Sequence, residues 1–327
     1  LKAGLQYISH GEKETGGYAH EKTLFESIAK ALDFGAGDCQ EIRFRRRFKG
    51  LFGWFRLGFL AFKAAGPNAT IITVARLAWP VFLKQLFGRG KMLVVVHNWD
   101  SRDGKPRIYY RVLSAFLNLA RTRAHKIAVV VPAAYWKQYL SARFGLSPLV
   151  FPNLFSEAPY AFFKEIARKN PKLIHLGQYS DKIDIKKHLV LCHILKHHGF
   201  VYYFSSNSPI SNTDFPISFF ETREAYLKQM STCYASVFLN KINEGWNRVA
   251  HESLLVGTPI IVSSGGGIEE LAQTLGGLVL DEPSEIVAAL KGPIPGANEH
   301  ELARFHQGCA GDWVDPVLRF LNPAGHA

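Results

Sequence analysis

Two carboxylates eight residues apart, Glu244 and Glu252, precede three consecutive glycines, Gly265 to Gly267, within the stretch NEGWNRVAHESLLVGTPIIVSSGGGIEE from Asn243 to Glu270. A triple glycine between the end of an apolar strand (PIIVSS) and a helix lets the backbone approach an anion closely. Free N–H groups and the positive helix end then face that anion. Phosphate is the anion that fits. An ionised carboxylate only accepts hydrogen bonds, so Glu244 in its loop and Glu252 on the following helix suit the hydroxyl groups of a sugar. Together these residues imply a sugar joined to a diphosphate.

Such a site needs parallel strands to aim the loops, and the rest of the chain supplies the pattern. Short apolar runs alternate with segments of helical period, which implies α/β layering with parallel sheets covered on both faces. Strands are expected at Leu5–Ser9, Glu41–Phe44, Ala69–Val74, Met92–His97, Lys126–Val131 and Pro148–Phe151. A second set follows at Lys172–Gly177, Phe200–Phe204, Ala235–Asn240, Pro259–Ser263 and Gly277–Leu280. Helices are expected at Tyr109–Arg121, Tyr135–Phe144, Ile185–His197, Thr222–Ser231, Arg248–Val256 and Ile268–Thr274. With 327 residues the chain is long enough for two domains. The polar, proline-ended stretch Lys164–Pro171 sets the expected boundary, giving domains 1–168 and 169–327. The amphipathic segment Asp312–Leu321 fits either a terminal helix on the second domain or one that packs back on the first.

The stretch EGWN, HES, VGTPIIVSS and GGG resembles the second domain of the GT-B glycosyltransferases, in particular the retaining group 1 or GT4-like family with its E-x7-E signature. That resemblance implies GT-B architecture: two Rossmann-like domains with parallel sheets facing an interdomain cleft, the first binding the acceptor and the second the nucleotide sugar. It implies that Glu244 lies at the transferred sugar and that Glu252 binds the ribose. The backbone of Gly245, Trp246 and Asn247 and of Gly266, Gly267 and Ile268 would meet the sugar and the diphosphate. Near the start, Gly16 and Gly17 match the family's Gly-Gly loop. His97, closing the run MLVVVH ahead of Asp100, stands where similar enzymes carry a histidine close to the donor sugar. The chain also departs from the pattern. Pro132 and Ala133 replace a usual serine, and Leu154 replaces the glycine after Pro152-Asn153. Gln178 occupies the place of an arginine that neutralises the diphosphate. Lys182 is one position early for the companion lysine, with Lys186 and Lys187 as the other cations at hand.

The activity implied is transfer of a sugar from a nucleotide-diphosphate donor to a glycan or lipid-linked acceptor, with retention. No cofactor and no metal are expected, since no DxD-type pair stands at a strand end. Departure of the nucleoside diphosphate would be aided by helix ends and lysines. Two other readings stay open: a sugar-nucleotide epimerase of the same architecture, and a non-catalytic partner subunit, which Gln178 keeps in view.

The formal charge of +12 points to a polyanionic substrate, an anionic membrane or nucleic acid. Arg43–Lys63 interleaves Arg and Lys with Phe, Trp and Leu. It reads first as a peripheral membrane contact, next as a core segment with a basic rim, and last as a nucleic-acid surface. The four cysteines, Cys39, Cys192, Cys233 and Cys309, have neither metal nor disulfide spacing. Leu1–Ser9 reads as a first strand rather than an export signal, and no run reaches the ~20 apolar residues that span a bilayer. A cytoplasmic protein is expected, with a peripheral place at the inner face of the membrane.

Overall fold

The computed structural model describes residues 4–10, 16–44, 50–100, 102, 105–156, 158–166, 169–211 and 213–323. By packing, the chain forms two compact units, Leu1–Leu154 with Gly308–Ala327, and Phe155–Gln307.

Unit 1 runs β1 (Leu5–His10), α1 (Gly16–Ala31), β2 (Cys39–Phe44), α2 (Gly50–Ala64), β3 (Thr70–Val74), α3 (Ala78–Gln85), β4 (Met92–Val95), α4 (Arg107–Thr122), β5 (Ile127–Val131), α5 (Ala134–Phe144) and β6 (Leu149–Val150). The strands form one six-stranded sheet in the order β2-β1-β3-β4-β5-β6, and every neighbouring pair is parallel. A parallel sheet is covered on both faces, so its inner strands read as unbroken apolar runs. The four residues of β4 are accordingly all buried.

Unit 2 runs α6 (Ala158–Ile166), β7 (Asn170–Gln178), α7 (Ile185–His197), β8 (Val201–Ser206), β9 (Ile217–Phe219), α8 (Arg223–Thr232), β10 (Cys233–Phe238), α9 (Arg248–Leu255), β11 (Ile260–Val262), α10 (Gly266–Leu275), β12 (Leu278–Val279), α11 (Pro283–Ala289) and α12 (Glu299–Ala303). Its sheet is also parallel, in the order β12-β11-β10-β7-β8-β9. The chain therefore enters at the middle, steps outward through β8 and β9, and then crosses to the other side of β7. That reversal makes a topological switch point between β7 and β10, where open α/β sheets leave a crevice beyond the carboxyl ends of the strands. Side-chain caps fix where its helices begin: Asp184 accepts from the Lys187 N–H, Thr222 from Ala225 and Asn247 from Ala250.

The division between the units does not follow the composition-based limits of 1–168 and 169–327. It falls after Leu154, because Phe155 is tied into unit 2 by its N–H to Phe305 O at 3.0 Å and its carbonyl to Gln307 N–H at 2.9 Å. The buried Tyr160 and Phe163 of α6 likewise belong to unit 2. Pro171 lies inside β7 rather than before it. The β7–β10 register is irregular there, a setting that tolerates a proline in a sheet. The last helix, α13 (Ala310–Leu321), returns to unit 1, where Val314, Val317 and Leu318 pack in one core with Tyr18, Leu24 and Ile28. Of the Arg43–Lys63 stretch, Arg43 and Phe44 close β2, residues 45–49 lie outside the described set, and the remainder is α2 with Leu57 and Ala61 buried. Among the described residues no helix is long and apolar enough to cross a membrane.

Because α13 closes the unit 1 core, Leu318→Ala is expected to lower unfolding free energy by ~2–5 kcal/mol. Denaturant unfolding would measure it, and a change below ~1 kcal/mol would mean that the helix is only loosely docked.

Candidate functional site

The loops leaving β7 and β10 run together at the switch point of unit 2. The Asp184 N–H donates to Leu239 O at 2.8 Å, the Lys241 N–H donates to Lys182 O at 2.9 Å, and Ile183 bridges Asn240 antiparallel. This clasp holds Lys182 beside the segment that carries Glu244, with Nζ 2.9 Å from Glu244 Oε1. The other carboxylate oxygen, Oε2, accepts from Asn240 Nδ2 at 2.9 Å and from Asn247 Nδ2. Glu244 is 8% exposed, while the Lys182 side chain is 48% exposed. A nearly buried acid is thus fixed by two amides, and a lysine reaches it from the solvent side.

The glycine loop lies directly on this acid's backbone. Gly265 and Gly266 have φ of +94° and +79°, conformations that other residues rarely adopt. A Cβ on Gly266 would sit 2.6 Å from Glu244 O, and one on Gly265 would sit 2.7 Å from Asn243 Oδ1. The Gly267 N–H donates to Glu244 O at 2.8 Å, and the Gly265 N–H goes to Glu269 Oε2 at 2.6 Å. The loop's close approach is therefore made first to the protein's own Asn243–Glu244 segment, which absorbs Gly267's N–H. The positive end of α10, opening at Gly266, Gly267 and Ile268, lies at the same segment.

Glu252 lies one turn into α9, 2% exposed. Its Oε1 accepts from Arg223 Nη2 and from Arg248 Nε, each at 2.8 Å, and among the described residues none donates to Oε2. Arg223 also donates to the Tyr160 hydroxyl. Burial, then the adjacent Glu252, pushes that phenol up to about 12, so it stays protonated. Asn247 both caps α9 and steadies Glu244. Trp246 turns inward, stacking on Phe305 with ring centroids 4.9 Å apart and donating from Nε1 to His251 Nδ1 at 2.9 Å. Burial holds His251 well below its usual range, so the ring is neutral and Nδ1 can accept. The side chains of Trp246 and Asn247 are thus both engaged within the chain. Gln178 ends β7, paired in register with Ser205, after Gly177 at φ +77°. Lys186 is exposed on the first turn of α7, and Lys187 donates to Asp281 O at 2.9 Å.

Unit 1 holds a separate group. Gly16 and Gly17 open α1, and a Cβ on Gly17 would lie 3.2 Å from His97 Nε2. His97 Nε2 is 2.7 Å from Glu21 Oε1, and the Tyr7 hydroxyl donates to Glu21 Oε2 at 2.6 Å. Burial and then Glu21 raise the Tyr7 phenol, which keeps it a donor. The histidine is thus oriented by a buried acid that is itself anchored to β1. Asp100 is engaged by Arg102 at 2.7 Å.

Of the residues singled out in the sequence, the structure gathers Lys182, Glu244, Gly245, Asn247, Gly266 and Gly267 in unit 2, and Gly17 with His97 in unit 1. Sequence reasoning missed Asn240, Arg223, Arg248 and Glu21. Arg248 was within reach, because it stands four residues before Glu252 on the same helix face. Arg223 comes from another helix and carries no such signal.

No family model and no curated protein matches the chain. Solved structures do. Sucrose-phosphate synthase from Thermosynechococcus elongatus aligns with TM-score 0.71 and 15% identity over 99% of this chain and 100% of that one. Anabaena HepE in complex with UDP aligns with TM-score 0.64 and 14% identity over 98% of each. UDP-GlcNAc 2-epimerase from Methanocaldococcus jannaschii aligns with TM-score 0.56 and 11% identity over 97% and 99%. At these identities the likeness is one of fold, and the fold is GT-B.

Gly266→Ala must strain the backbone and push on Glu244 O, so it is expected to cost ~2 kcal/mol or more in denaturant unfolding. Gly296→Ala, with open space around its Cβ, is the comparison and should be near neutral. Equal effects would show that the glycine contact does not constrain the loop.

Proposed function

We propose that the chain transfers a sugar from a nucleotide-diphosphate sugar to a glycan or lipid-linked acceptor. The observation that carries the reading is the arrangement at the switch point of unit 2. An acid fixed by two amides, Glu244, sits with a half-exposed cation, Lys182, at the positive end of α10. A sugar diphosphate needs those three things: an acceptor for sugar hydroxyls, a cation for the phosphates and helix N–H groups for the same charge. The fold supports it as well, since structures with the same architecture include a sucrose-phosphate synthase and a protein in complex with UDP.

In this reading Glu244 accepts from the hydroxyls of the transferred sugar, and Glu252 offers Oε2 to the ribose while its arginines hold Oε1. The backbone of Gly245–Asn247 and of Gly266–Ile268 lines the sugar and diphosphate. Lys182 leaves Glu244 for the diphosphate when donor binds, with Lys186 as a second cation, and the site needs no metal. The bond from the anomeric carbon to the leaving phosphate oxygen breaks and one to the acceptor oxygen forms on the same face of the sugar, the acceptor's hydroxyl proton passing to the departing diphosphate. Fixed charges that meet the developing negative charge without reorganising are the main source of rate. Retention follows from the resemblance to the group 1 enzymes. Unit 1 takes the acceptor, and His97, oriented by Glu21, contacts a sugar hydroxyl. Gln178, where those enzymes carry an arginine, leaves Lys182 with a larger share of the phosphate charge.

The same fold in a UDP-GlcNAc 2-epimerase favours one second reading, conversion of the donor without an acceptor. A thermal-shift screen of UDP-, GDP-, ADP- and CMP-sugars identifies the donor, a saturating ligand at 100 times its Kd adding ~2.7 kcal/mol. With that donor, Glu244→Ala and Lys182→Ala are each expected to lower acceptor-dependent turnover by ~100-fold or more while the fold persists. Product formed from donor alone would replace transfer by isomerisation. Donor binding without turnover over a panel of glycan and lipid-linked acceptors would leave a binding subunit, and no stabilisation by any nucleotide sugar would sink the reading.

A further inference from the structure

The net charge of +12 is not shared between the two units. Unit 1 holds 25 Lys and Arg against 11 Asp and Glu, a net +14, whereas unit 2 holds 14 against 16, a net −2. Within unit 1 the excess is concentrated: from Arg43 to Trp99 there are 11 Lys and Arg and no Asp or Glu. That span contains β3, β4 and the two neighbouring helices α2 and α3.

The outer faces of α2 and α3 are also unusually apolar. Phe55 and Phe59 on α2 are 66% and 58% exposed, and Phe87, just after α3, is 81% exposed, with Leu60, Leu83 and Leu86 exposed beside them. The helices lie side by side. A Cβ on Gly58 would be 3.6 Å from the Pro80 ring, and Lys84 Nζ sits 5.2 Å over the Phe62 ring. Lys63 Nζ lies 4.9 Å over Phe59. Lys63 thus stands over the exposed Phe59 ring, and Lys84 over the half-buried Phe62 on the same helix pair, instead of on an opposite face. A nucleic-acid groove would use its aromatics as stacking platforms along a charged track. Here the exposed rings and side chains on α2 and α3 are Phe and Leu, with lysines beside them. Apolar side chains at acyl depth and ammonium groups at phosphate depth are what an anionic bilayer surface accepts.

We propose that the α2–α3 face of unit 1 docks on the surface of an anionic membrane, with Phe55, Phe59 and Phe87 entering the interface and Lys63 and Lys84 meeting the lipid phosphates. The docking stands apart from sugar transfer, and it would bring unit 1 to an acceptor carried on a lipid.

The test is co-sedimentation of the full chain with vesicles of equal phosphatidylglycerol and phosphatidylcholine, and with phosphatidylcholine alone, at ~0.15 M salt. The wild type is expected to partition onto the anionic vesicles at least about tenfold better. Phe55→Ser with Phe59→Ser and Phe87→Ser, and separately Lys63→Glu with Lys84→Glu, should each lose about tenfold or more. Phe162→Ser with Phe219→Ser, exposed positions of unit 2, should lose nothing. Unchanged circular dichroism and an unchanged donor-induced thermal shift keep a lost fold, or a failed transferase reading, distinct from a lost docking face. Equal partition onto both vesicle types, or retention by the Phe variants, overturns the proposal. So does binding to single-stranded nucleic acid or to a second copy, by light scattering, that the Phe variants abolish when no vesicle binding is seen.

Discussion

The contact of the Gly265–Gly266 backbone with Asn243 and Glu244 is the constraint on which the candidate site rests. Neither glycine has room for a Cβ, and both have positive φ, so the strand-to-helix turn after β11 can close only by lying on the loop after β10. Once closed, the Gly267 N–H fixes the carbonyl of Glu244, and Asn240 and Asn247 fix its carboxylate. A side chain held at both ends keeps its geometry without a ligand, and such preorganisation is where electrostatic catalysis and specific binding draw their advantage. Lys182 is the opposite case. Its side chain is half exposed and reaches Glu244 from the solvent side, so it is less confined than the acid it meets.

The order of strands makes this contact possible. Glu244 and Lys182 are separated by α7, β8, β9, α8 and β10 in sequence, but β7 and β10 are neighbours because the chain reverses direction across the sheet. The clasp of Ile183 on Asn240 converts that adjacency into a fixed distance. Unit 1 makes the same reversal around β1. There the first turn of α1 and the segment after β4 meet as Gly17 and His97, with Glu21 behind them.

Much of this was legible in the sequence, for reasons that differ by feature. The limits of α7 follow from the Asp184 cap and the helical period, and the structure has Ile185–His197. The inner strands were readable as apolar runs, whereas β9 is a three-residue edge strand with half-buried or exposed side chains and leaves too little signal. The unit boundary was hidden, because the polar stretch at Lys164 looks like a linker, although Tyr160 and Phe163 already pack into unit 2. The glycines show the deeper limit. Composition tells that something approaches the backbone closely, and the sequence reading named an anion. The coordinates name the chain's own Glu244 segment as one such neighbour, so the glycines are required whether or not a phosphate lies beyond them. The Arg223–Glu252 pair was invisible for a simpler reason: nothing in a one-dimensional pattern brings α8 to α9.

The division of charge bears on how each unit can meet an anion. Unit 2 is slightly acidic overall, so its net charge offers no long-range attraction for an anion. In the function proposed for unit 2, an anion would be held at short range, by N–H groups at the start of α10 and by Lys182. Short, directed contacts of this kind are screened less by salt than a diffuse field, which decays within ~8 Å at physiological ionic strength. Unit 1 has the reverse design, a broad positive field with few acids to interrupt it, suited to an extended anionic surface and poorly suited to selecting one small anion. With the positive field confined to unit 1, the Glu244 loop is set by the glycine contact rather than by the charge of the molecule.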